Sequence, residues 1–565
     1  MNRKLYGIFL APVFLALSFL MGCGSSSHKT TTTPPPPATT PFAFYLSGQE
    51  AINSGPNYYA LAGAVTIDSS GNVTAGEQDY NDGFGITSPQ PSGDSITGGT
   101  LTVDPTTGQG TLTLITNNVN VGVSGTETLG VQFVNANHAL IAQFDGSATS
   151  SGSMDLQTLS GTPSGGFAFT ANGVDPSYNP FAVGGVFTLP SAAGDVVDLN
   201  DAGTTSTTAL ALSLGTPDSF GRGVITSTTG LSGILLNYYV VGPEVLRIID
   251  VDPSTSTGPS DSAVGSAFGQ GTNATGGSNA SLAAAVFAVA GDPFGDEYGV
   301  AGQITPDSTT TPATFSGVAE DVELDTTFVS GQASPVTGTY NIAANGYGSL
   351  TIVGFGGGNV HAMQVYATDP TLNLNDPNNT TTDVGGALLL EFDNGGPLAG
   401  GIGVAVPQTD TVSGDFNGTY VAGWQNFNVF TSCLDCEFDM VSQGSMASGG
   451  ALSLTGLVSD PFSTLNGAGA TTVTGATFTA TPLPDSLHAG RFSMSSTNTP
   501  ANPLVPAIGA YVTPFDAIVY QASASQLFWL EWDGTSVFVG PIEGQTSLTG
   551  IPAVARSEKA QAKQK

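Results

Sequence analysis

Basic residues are scarce in this sequence. Ten Lys and Arg stand against 44 Asp and Glu, which gives a formal net charge of −34 at pH 7. Between residues 30 and 554 the basic side chains are those of Arg222, Arg247 and Arg491. Such a negative field repels phosphate backbones and anionic lipid head groups. The balance therefore excludes nucleic acid as a partner. It favours solubility of an exposed protein, and it could also attract divalent cations.

Sequence motifs of the common enzyme classes are absent. The chain has no His-Glu-x-x-His, no Gly-x-Ser-x-Gly and no phosphate-cradling Gly-Lys-Ser/Thr. Its four histidines are dispersed, so no pair has the spacing of two metal ligands on one helix. Zinc, serine and nucleotide chemistry are therefore disfavoured. We predict that the protein is not an enzyme and has no cofactor, with calcium as the alternative.

The only long hydrophobic run, residues 5–20, is too short for a comfortable membrane span. It follows Arg3 and Lys4 and leads into Leu-Met-Gly-Cys ending at Cys23, the pattern of an export signal. These four residues resemble the lipobox of bacterial lipoproteins. The resemblance implies cleavage before Cys23 and a diacylglycerol group on its sulfur. By the same resemblance, Gly24 favours the outer over the inner membrane, with a periplasmic or surface-facing body.

Cysteine is almost missing from the rest of the chain. If Cys23 carries lipid, Cys433 and Cys436 remain. In an exported protein this Cys-x-x-Cys pair favours a local disulfide, and spare thiols or redox or metal chemistry are the alternatives.

The composition favours β-structure. Seventy-six glycines, abundant Ser and Thr and few charged residues weaken helices, whereas scattered Val, Ile, Thr, Phe and Tyr suit pleated surfaces. Alternating segments flank turn residues, as in Gly-Thr-Leu-Thr-Val before Pro105 and Gly-Thr-Leu-Thr-Leu after Gly108. This pattern predicts β-hairpins. We therefore predict an all-β protein.

Four diverged copies of one unit follow the signal and linker. Each copy has an apolar strand that ends on acids and a glutamine a short distance later, at Gln157, Gln270, Gln408 and Gln545. Each holds about seven or eight strands, which predicts four antiparallel meanders in small closed or nearly closed barrels. Sandwiches and units sharing a larger barrel are the alternatives. The predicted segments are a signal peptide (1–22), a lipidated Cys and Ser/Thr/Pro linker (23–41), four β-units (42–157, 167–270, 282–408 and 416–545) and a polar basic tail (546–565). The unit resembles tandem β-repeats of uncharacterised exported lipoproteins of acidobacteria, a resemblance that carries no known activity or site residue.

The acids that end the apolar strands are the first candidates for chemistry. In three units the two acids are two positions apart on one strand, which is within reach of the distance between the paired carboxylates of glycosidases. The pairs are Asp250 and Asp252, Glu391 and Asp393, and Glu531 and Asp533. Unit one has Gln143 in place of the first acid, and an enzyme seldom needs several copies of one pair. We expect these acids to face water and turn donors and not to be catalytic.

A second acidic element recurs in units one and two. Its residues are Asp79, Asn81 and Asp82, and then Asp198, Asn200 and Asp201. Their oxygens could bind calcium, but neither run continues as an EF-hand loop, and ordinary turns are favoured. In unit four, Trp424 and Trp532 are candidates for a glycan or partner contact, with core packing as the favoured alternative.

These observations predict a lipid-anchored envelope protein that acts by display, adhesion or binding. Its expected partners are the membrane, reached through the lipid, and a polysaccharide or envelope protein. Repeated modules would add reach and multivalency. Two alternatives remain: small-molecule or glycan binding in barrel mouths, and a carbohydrate-active enzyme that uses strand-end carboxylates.

Overall fold

The computed structural model consists almost entirely of antiparallel strands. In the part of the chain that the structure describes, the helices are α1 (Asn273–Gly276) and a 3-10 turn at Asn279–Ser281. Among the described residues, no helix is long and apolar enough to cross a membrane. The structure describes residues 38–52, 55–84, 93–159, 161–231, 234–253, 260–283, 285–291, 298–323, 334–354, 360–379, 385–393, 400–412, 417–428, 436–446, 452–460, 471–484, 488–496, 515–531, 536–552 and 554–555.

Barrel 1 is an up-and-down meander of eight strands. Each strand pairs with its neighbours in sequence, β1 pairs with β8, and the β3–β4 pairing completes the circuit. The strands are β1 (Thr39–Ile52), β2 (Gly55–Asp68), β3 (Val73–Asn81), β4 (Asp94–Val103), β5 (Gln109–Thr116), β6 (Thr126–Asn135), β7 (His138–Gln143) and β8 (Ala148–Leu156).

Barrel 2 has nine strands. Its first strand, β9, pairs with both β10 and β17, and in the described residues no ladder joins β12 to β13, so this barrel is nearly closed. The strands are β9 (Gly165–Val174), β10 (Pro180–Leu189), β11 (Val196–Asp201), β12 (Thr204–Ala209), β13 (Ala211–Leu214), β14 (Arg222–Thr229), β15 (Leu236–Gly242), β16 (Val245–Asp250) and β17 (Ser262–Gly269).

Barrels 3 and 4 are closed and have eight strands each. Barrel 3 consists of β18 (Ala285–Gly291), β19 (Tyr298–Asp307), β20 (Ala313–Glu323), β21 (Ser334–Ile342), β22 (Tyr347–Val353), β23 (Val360–Ala367), β24 (Ala387–Glu391) and β25 (Ile402–Pro407). Barrel 4 consists of β26 (Gly418–Asn428), β27 (Cys436–Met446), β28 (Leu452–Asp460), β29 (Thr471–Pro484), β30 (Arg491–Ser496), β31 (Phe515–Gln521), β32 (Gln526–Glu531) and β33 (Ser536–Gly544). A short last strand, β34 (Val554–Ala555), pairs in parallel with β4 of barrel 1. The predicted fold of tandem all-β barrels is confirmed.

Every second side chain along a strand points into the barrel, and these side chains fill the interior. In the β4–β5 hairpin, Leu101, Val103, Leu112 and Leu114 are buried, and the threonines between them point the other way. Apolar clusters of the same kind occupy the interiors of barrels 1, 2 and 3. In barrel 3 the space left is about 10 Å³, which has room for at most one water. These interiors are packed cores and not ligand cavities.

The four barrels form a closed circuit of interfaces, which we call the ring. Strand β2 lies against β16 and β17, β9 lies against β24, β19 lies against β32 and β33, and β27 of barrel 4 returns to β7 and β8 of barrel 1. One apolar cluster takes buried residues from all four barrels, including Ala43, Phe268, Leu388 and Phe528. The inner faces of the barrels therefore bury one another, and the repeated units pack into one body.

The recurring glutamines tie each barrel to the next. The side-chain Nε2 of Gln157 donates to carbonyls of barrel 2, that of Gln270 to barrel 3 and that of Gln408 to barrel 4. Gln545 donates to the carbonyls of Thr107 and Phe133, so the last barrel is fastened to the first. Beside each amide lies a glycine with φ between +74° and +83°, and a Cβ there would lie 2.5 to 3.0 Å from the amide nitrogen. Those glycines are Gly221, Gly346, Gly490 and Gly108.

Candidate functional site

Asp79, a predicted calcium ligand, lies at the interface of barrels 1 and 2. Its carboxylate accepts hydrogen bonds from Arg222 Nε and Nη2 at 2.8 and 2.9 Å and from the Tyr239 hydroxyl at 2.9 Å. Asn237 Nδ2 adds a fourth donor at 3.2 Å. Both oxygens are therefore committed to a charged, bidentate contact across the interface. Asp79 is not available to a cation.

Asn81 and Asp82 also have structural partners. Asn81 Nδ2 donates to the main-chain oxygens of Asp250 and Asp261 in barrel 2, at 3.0 and 2.8 Å. Its Oδ1 accepts the Gly83 amide at 2.8 Å. Asp82 Oδ1 accepts the amide two residues later, at Phe84, in the local turn geometry typical of aspartate. Asn81 is therefore a bridge between barrels and not a direct ligand.

The equivalent residues of barrel 2 repeat this role against barrel 3. The Asp198 carboxylate accepts the hydroxyls of Tyr366 and Tyr347 at 2.9 and 3.3 Å. Asn200 Nδ2 donates to the main-chain oxygen of Glu391 at 3.1 Å and to its side chain. The pKa of Asp201 is raised by burial and by Asp175. The recurring acidic element is therefore used to dock the following barrel.

The expectation that the strand-end acids face water is wrong for the first acid of each pair. Asp250, Glu391 and Glu531 are 1%, 0% and 1% exposed. Burial raises the pKa of Asp250 well above its usual range and that of Glu391 to about 9. The reason is tertiary. At two of these strand ends, those of β16 and β24, the preceding barrel packs and covers carboxylates that an isolated unit would expose.

The remaining candidates are incompletely described. Cys23, Cys433 and Trp532 lie outside the described residues. Cys436 begins β27, and Trp424 lies on β26 opposite Met440. The structure describes the backbone of these two residues but not their side chains. The disulfide and the tryptophan contacts stay predictions.

The mouth of barrel 1 contains a polar pocket of about 340 Å³. Strands β1, β2, β3, β6 and β7 bring their polar residues to this end of the barrel. The side chains that define the pocket are Glu50, Tyr59, Tyr80, Asp82, Glu127 and Gln143. We call this the mouth pocket.

Two buried glutamates give the mouth pocket its character. Glu50 Oε2 accepts the Tyr80 hydroxyl at 2.6 Å, and Oε1 accepts Asn57 Nδ2 at 3.2 Å. Glu127 is 1% exposed, and its Oε2 has no hydrogen-bond partner in the described part of the chain. Burial raises the pKa of Glu50 to about 7 and that of Glu127 to about 8. Near neutral pH the Glu127 carboxyl group is therefore mainly protonated and that of Glu50 partly so, and a protonated carboxyl group can both donate and accept hydrogen bonds.

A hydroxyl network completes the rim of the pocket. The Tyr59 hydroxyl donates to Ser150 Oγ at 2.7 Å and lies 3.4 Å from Gln143 Oε1. Gln143 Nε2 donates to Asp145 Oδ2 at 2.6 Å, which fixes the amide. Gln143 is the residue that replaces an acid in unit one. In the sequence it departs from the repeat pattern, and in the structure it lines the mouth pocket.

A second cavity, of about 320 Å³, lies where the four barrels meet. On its wall, Arg247 of barrel 2 donates from Nη2 to Asp155 Oδ2 and to Ser153 Oγ of barrel 1, at 2.5 and 3.0 Å. Asp155 Oδ1 lies 2.7 Å from His138 Nδ1, and His138 Nε2 lies 3.4 Å from Glu543 of barrel 4. Although burial opposes it, Arg247 and His138 hold the pKa of Asp155 at about 2. These charges are paired with one another, so they fasten three barrels together.

Sequence reasoning missed Glu50 and Glu127. Neither residue has a motif around it, and 77 positions separate them, so only closure of the barrel brings their strand ends together.

No family model matches the chain, and no curated protein matches it. Among solved structures it is similar to a double mutant of the vaccine antigen transferrin binding protein B from Haemophilus parasuis, at 10% sequence identity. That match covers 74% of this chain and 85% of the other, with a TM-score of 0.19, a likeness too slight to carry an argument.

Proposed function

We propose that this protein is a lipid-anchored, non-enzymatic binding scaffold of the cell envelope that holds a small polyhydroxylated ligand, such as a glycan end group, in the mouth pocket. The observation that carries the proposal is the pair of buried glutamates, Glu50 and Glu127, beside two tyrosines at one barrel end. The lipid at Cys23 and the outer membrane are proposed from the sequence.

The chemistry of the pocket favours a neutral, hydroxyl-rich ligand. Its volume lies at the lower end of the roughly 300 to 1,000 Å³ of typical small-ligand sites. A sugar hydroxyl donates and accepts at once, which matches a protonated carboxyl group, a tyrosine hydroxyl and a fixed amide. The free Oε2 of Glu127 supplies the unfilled position that such a hydroxyl would satisfy.

The scaffold role is supported by the packing of the barrels. Three interiors are filled with apolar side chains, and the ring joins the barrels into one body. The buried carboxylates of Asp79, Asp155 and Asp198 bind neighbouring barrels and are not free for catalysis. A rigid body of this kind would present the mouth pocket in a fixed orientation.

Substitutions at Glu127 test the ligand chemistry. We expect Glu127→Leu to weaken saccharide binding at least about tenfold, as removal of one buried hydrogen-bonding group predicts, and Glu127→Gln to retain most of it. Titration calorimetry at pH 6 with neutral disaccharides and with oligosaccharides from envelope polysaccharide measures the affinity. Glu244→Leu, in the β15–β16 turn of barrel 2, is the control and should bind as the unchanged protein does.

The same experiment separates a neutral ligand from a cationic one. A cationic ligand needs an ionised carboxylate, which Glu127→Gln lacks. If Glu127→Gln lost binding and spermidine competed with the ligand for the unchanged protein, the saccharide proposal would be contradicted. Absence of binding by the unchanged protein at millimolar saccharide would contradict it as well.

Membrane attachment is tested at Cys23. We expect Cys23→Ser to move the protein from the membrane to the soluble fraction and to remove the acyl mass, because one thioether site carries the anchor. Detergent phase partitioning and intact-mass spectrometry measure both effects. Cys433→Ser is the matched control and should stay acylated. An unmodified, uncleaved native chain would refute the anchor.

A further inference from the structure

Three aspartates converge at one end of barrel 2, next to barrel 1. Asp250 ends β16, Asp252 follows it, and Asp261 immediately precedes β17. Each offers a carboxylate oxygen, and these three oxygens all lie within 4.8 Å of one another. Asp250 and Asp252 are buried, and Asp261 is partly exposed, so the cluster lies just beneath the surface.

The hydrogen bonds of the cluster leave an oxygen unsatisfied. Asp250 Oδ1 accepts the Asp252 amide at 2.8 Å, and Asp252 Oδ1 accepts the Leu235 amide at 2.9 Å. These bonds hold both carboxylates in place. Asp250 Oδ2 is fully buried and has no partner among the described residues. Carboxylates are acceptors only, so the neighbouring aspartates cannot satisfy that oxygen without a proton or a cation between them.

The charge of the cluster is also uncompensated. None of the ion pairs in the described part of the chain includes these aspartates, and Arg222 and Arg247 are engaged by Asp79 and Asp155. Burial raises the pKa of Asp252 to about 7 and, together with Asp201 and Asp175, that of Asp261 to about 6. Three clustered carboxylates with no cationic partner in the described residues therefore form a site that a bound cation would neutralise.

We propose that Asp250, Asp252 and Asp261 bind one calcium ion. The donors are all hard carboxylate oxygens, without the nitrogen or sulfur that zinc prefers. Calcium takes six to eight oxygen ligands in flexible geometry, whereas magnesium requires near-ideal octahedral geometry and gives up its waters reluctantly, so three protein carboxylates at one site suit the larger ion. Water completes the coordination from the exposed side of Asp261.

Calcium at this site would strengthen the docking of barrel 1. Asn81 donates to the main-chain oxygens of Asp250 and Asp261, and Ser262 Oγ donates back to the Asn81 oxygen at 2.7 Å. The Ser260 amide also donates to Gly83 O at 2.9 Å. The ion holds the strand ends to which β3 is attached. This site is separate from the mouth pocket, and its test does not depend on saccharide binding.

The test uses the lipid-free chain after dialysis against EDTA. Calorimetric titration with calcium chloride at pH 7.5 is expected to give one site with a Kd of about 1 mM or tighter, and calcium should raise the unfolding temperature by at least about 2 °C. Magnesium should bind at least about tenfold more weakly. At pH 5 calcium affinity should fall, because protons then compete for the carboxylates.

Asp261→Asn is the decisive variant, since this residue is the most exposed of the three and its loss should spare the fold. We expect at least a tenfold loss of calcium affinity and no calcium-dependent shift in unfolding temperature. Asp307→Asn, an exposed aspartate whose carboxylate accepts the Thr309 amide and hydroxyl, is the charge-matched control and should keep both effects. Wild-type affinity in Asp261→Asn, or no calcium response in the unchanged protein, would overturn the assignment.

Discussion

The lipid-free body is expected to be markedly more stable at pH 5 than at pH 8 in the presence of EDTA. Three well-buried glutamates have raised pKa values when folded: Glu50 at about 7, Glu127 at about 8 and Glu391 at about 9, chiefly because of burial. In the unfolded chain each returns to about 4.5. Between these values the folded protein binds more protons than the unfolded chain, so stability falls as pH rises.

The size of this effect follows from proton linkage. One unit of pKa difference between folded and unfolded chains corresponds to about 1.4 kcal/mol, so each glutamate should remove on the order of 2 to 4 kcal/mol as it ionises. His138, whose pKa is raised by Glu543 and Asp155 although burial opposes it, acts in the same direction. Asp155 acts in the opposite direction, but its contribution is lost only as pH falls from 3.8 towards 2. The stability maximum should therefore lie near pH 4 to 5.

Thermal and urea unfolding across pH 4 to 9 measure the profile. Glu127→Gln should raise stability at pH 8 and leave it nearly unchanged at pH 5, because the amide cannot ionise. Asp307→Asn, on the exposed side of barrel 3, should change neither value appreciably. A stability that rose from pH 5 to pH 8, or a Glu127→Gln variant with the unchanged slope, would show that these glutamates are ionised in the folded protein.

The repeat could be predicted from the sequence because the patterns that identify it are local. Hairpins, turn glycines and the recurring Gln157, Gln270, Gln408 and Gln545 depend on neighbours a few residues away. The role of those glutamines could not be predicted from the sequence. Each bonds to main-chain carbonyls of another barrel, and the partners of Gln545 lie more than 400 residues earlier. Every residue has a main-chain carbonyl, so the sequence does not identify which residues accept these hydrogen bonds.

The same reason explains the errors about charge. From sequence, Asp250 and Glu391 are strand-end acids of a soluble unit, for which exposure is the normal outcome. In the protein these strand ends are covered by Asn81 and Asn200 of the preceding barrels. The sequence places the two asparagines at equivalent positions, but only the docked barrels show that Asn81 donates to the main-chain oxygen of Asp250 and Asn200 to that of Glu391.

Replacing Arg247 with methionine is expected to cost about 3 to 5 kcal/mol of folding free energy, the largest single-residue effect we predict. Methionine keeps much of the side-chain volume over the Tyr45 ring, from which the guanidinium carbon lies 4.4 Å. It leaves the fully buried Asp155 with His138 as its remaining charged partner. Ser153 and Ser266 each lose a donor as well. Urea denaturation at pH 6 measures the loss.

Two further variants separate the ion pair from simple packing. Arg247→Lys keeps the charge but lacks the planar fork that reaches Asp155, Ser153 and Ser266 together, so it should recover less than half of the loss. In the double variant Arg247→Met with Asp155→Leu, no unpaired carboxylate is buried, so the loss should be smaller than the sum of the two single losses by at least about 1 kcal/mol. Additive losses, or a cost below about 1 kcal/mol for Arg247→Met, would mean that barrels 1 and 2 are held by their apolar contacts alone. The energetic centre of the ring would then lie in the shared apolar cluster and not in this buried charge network.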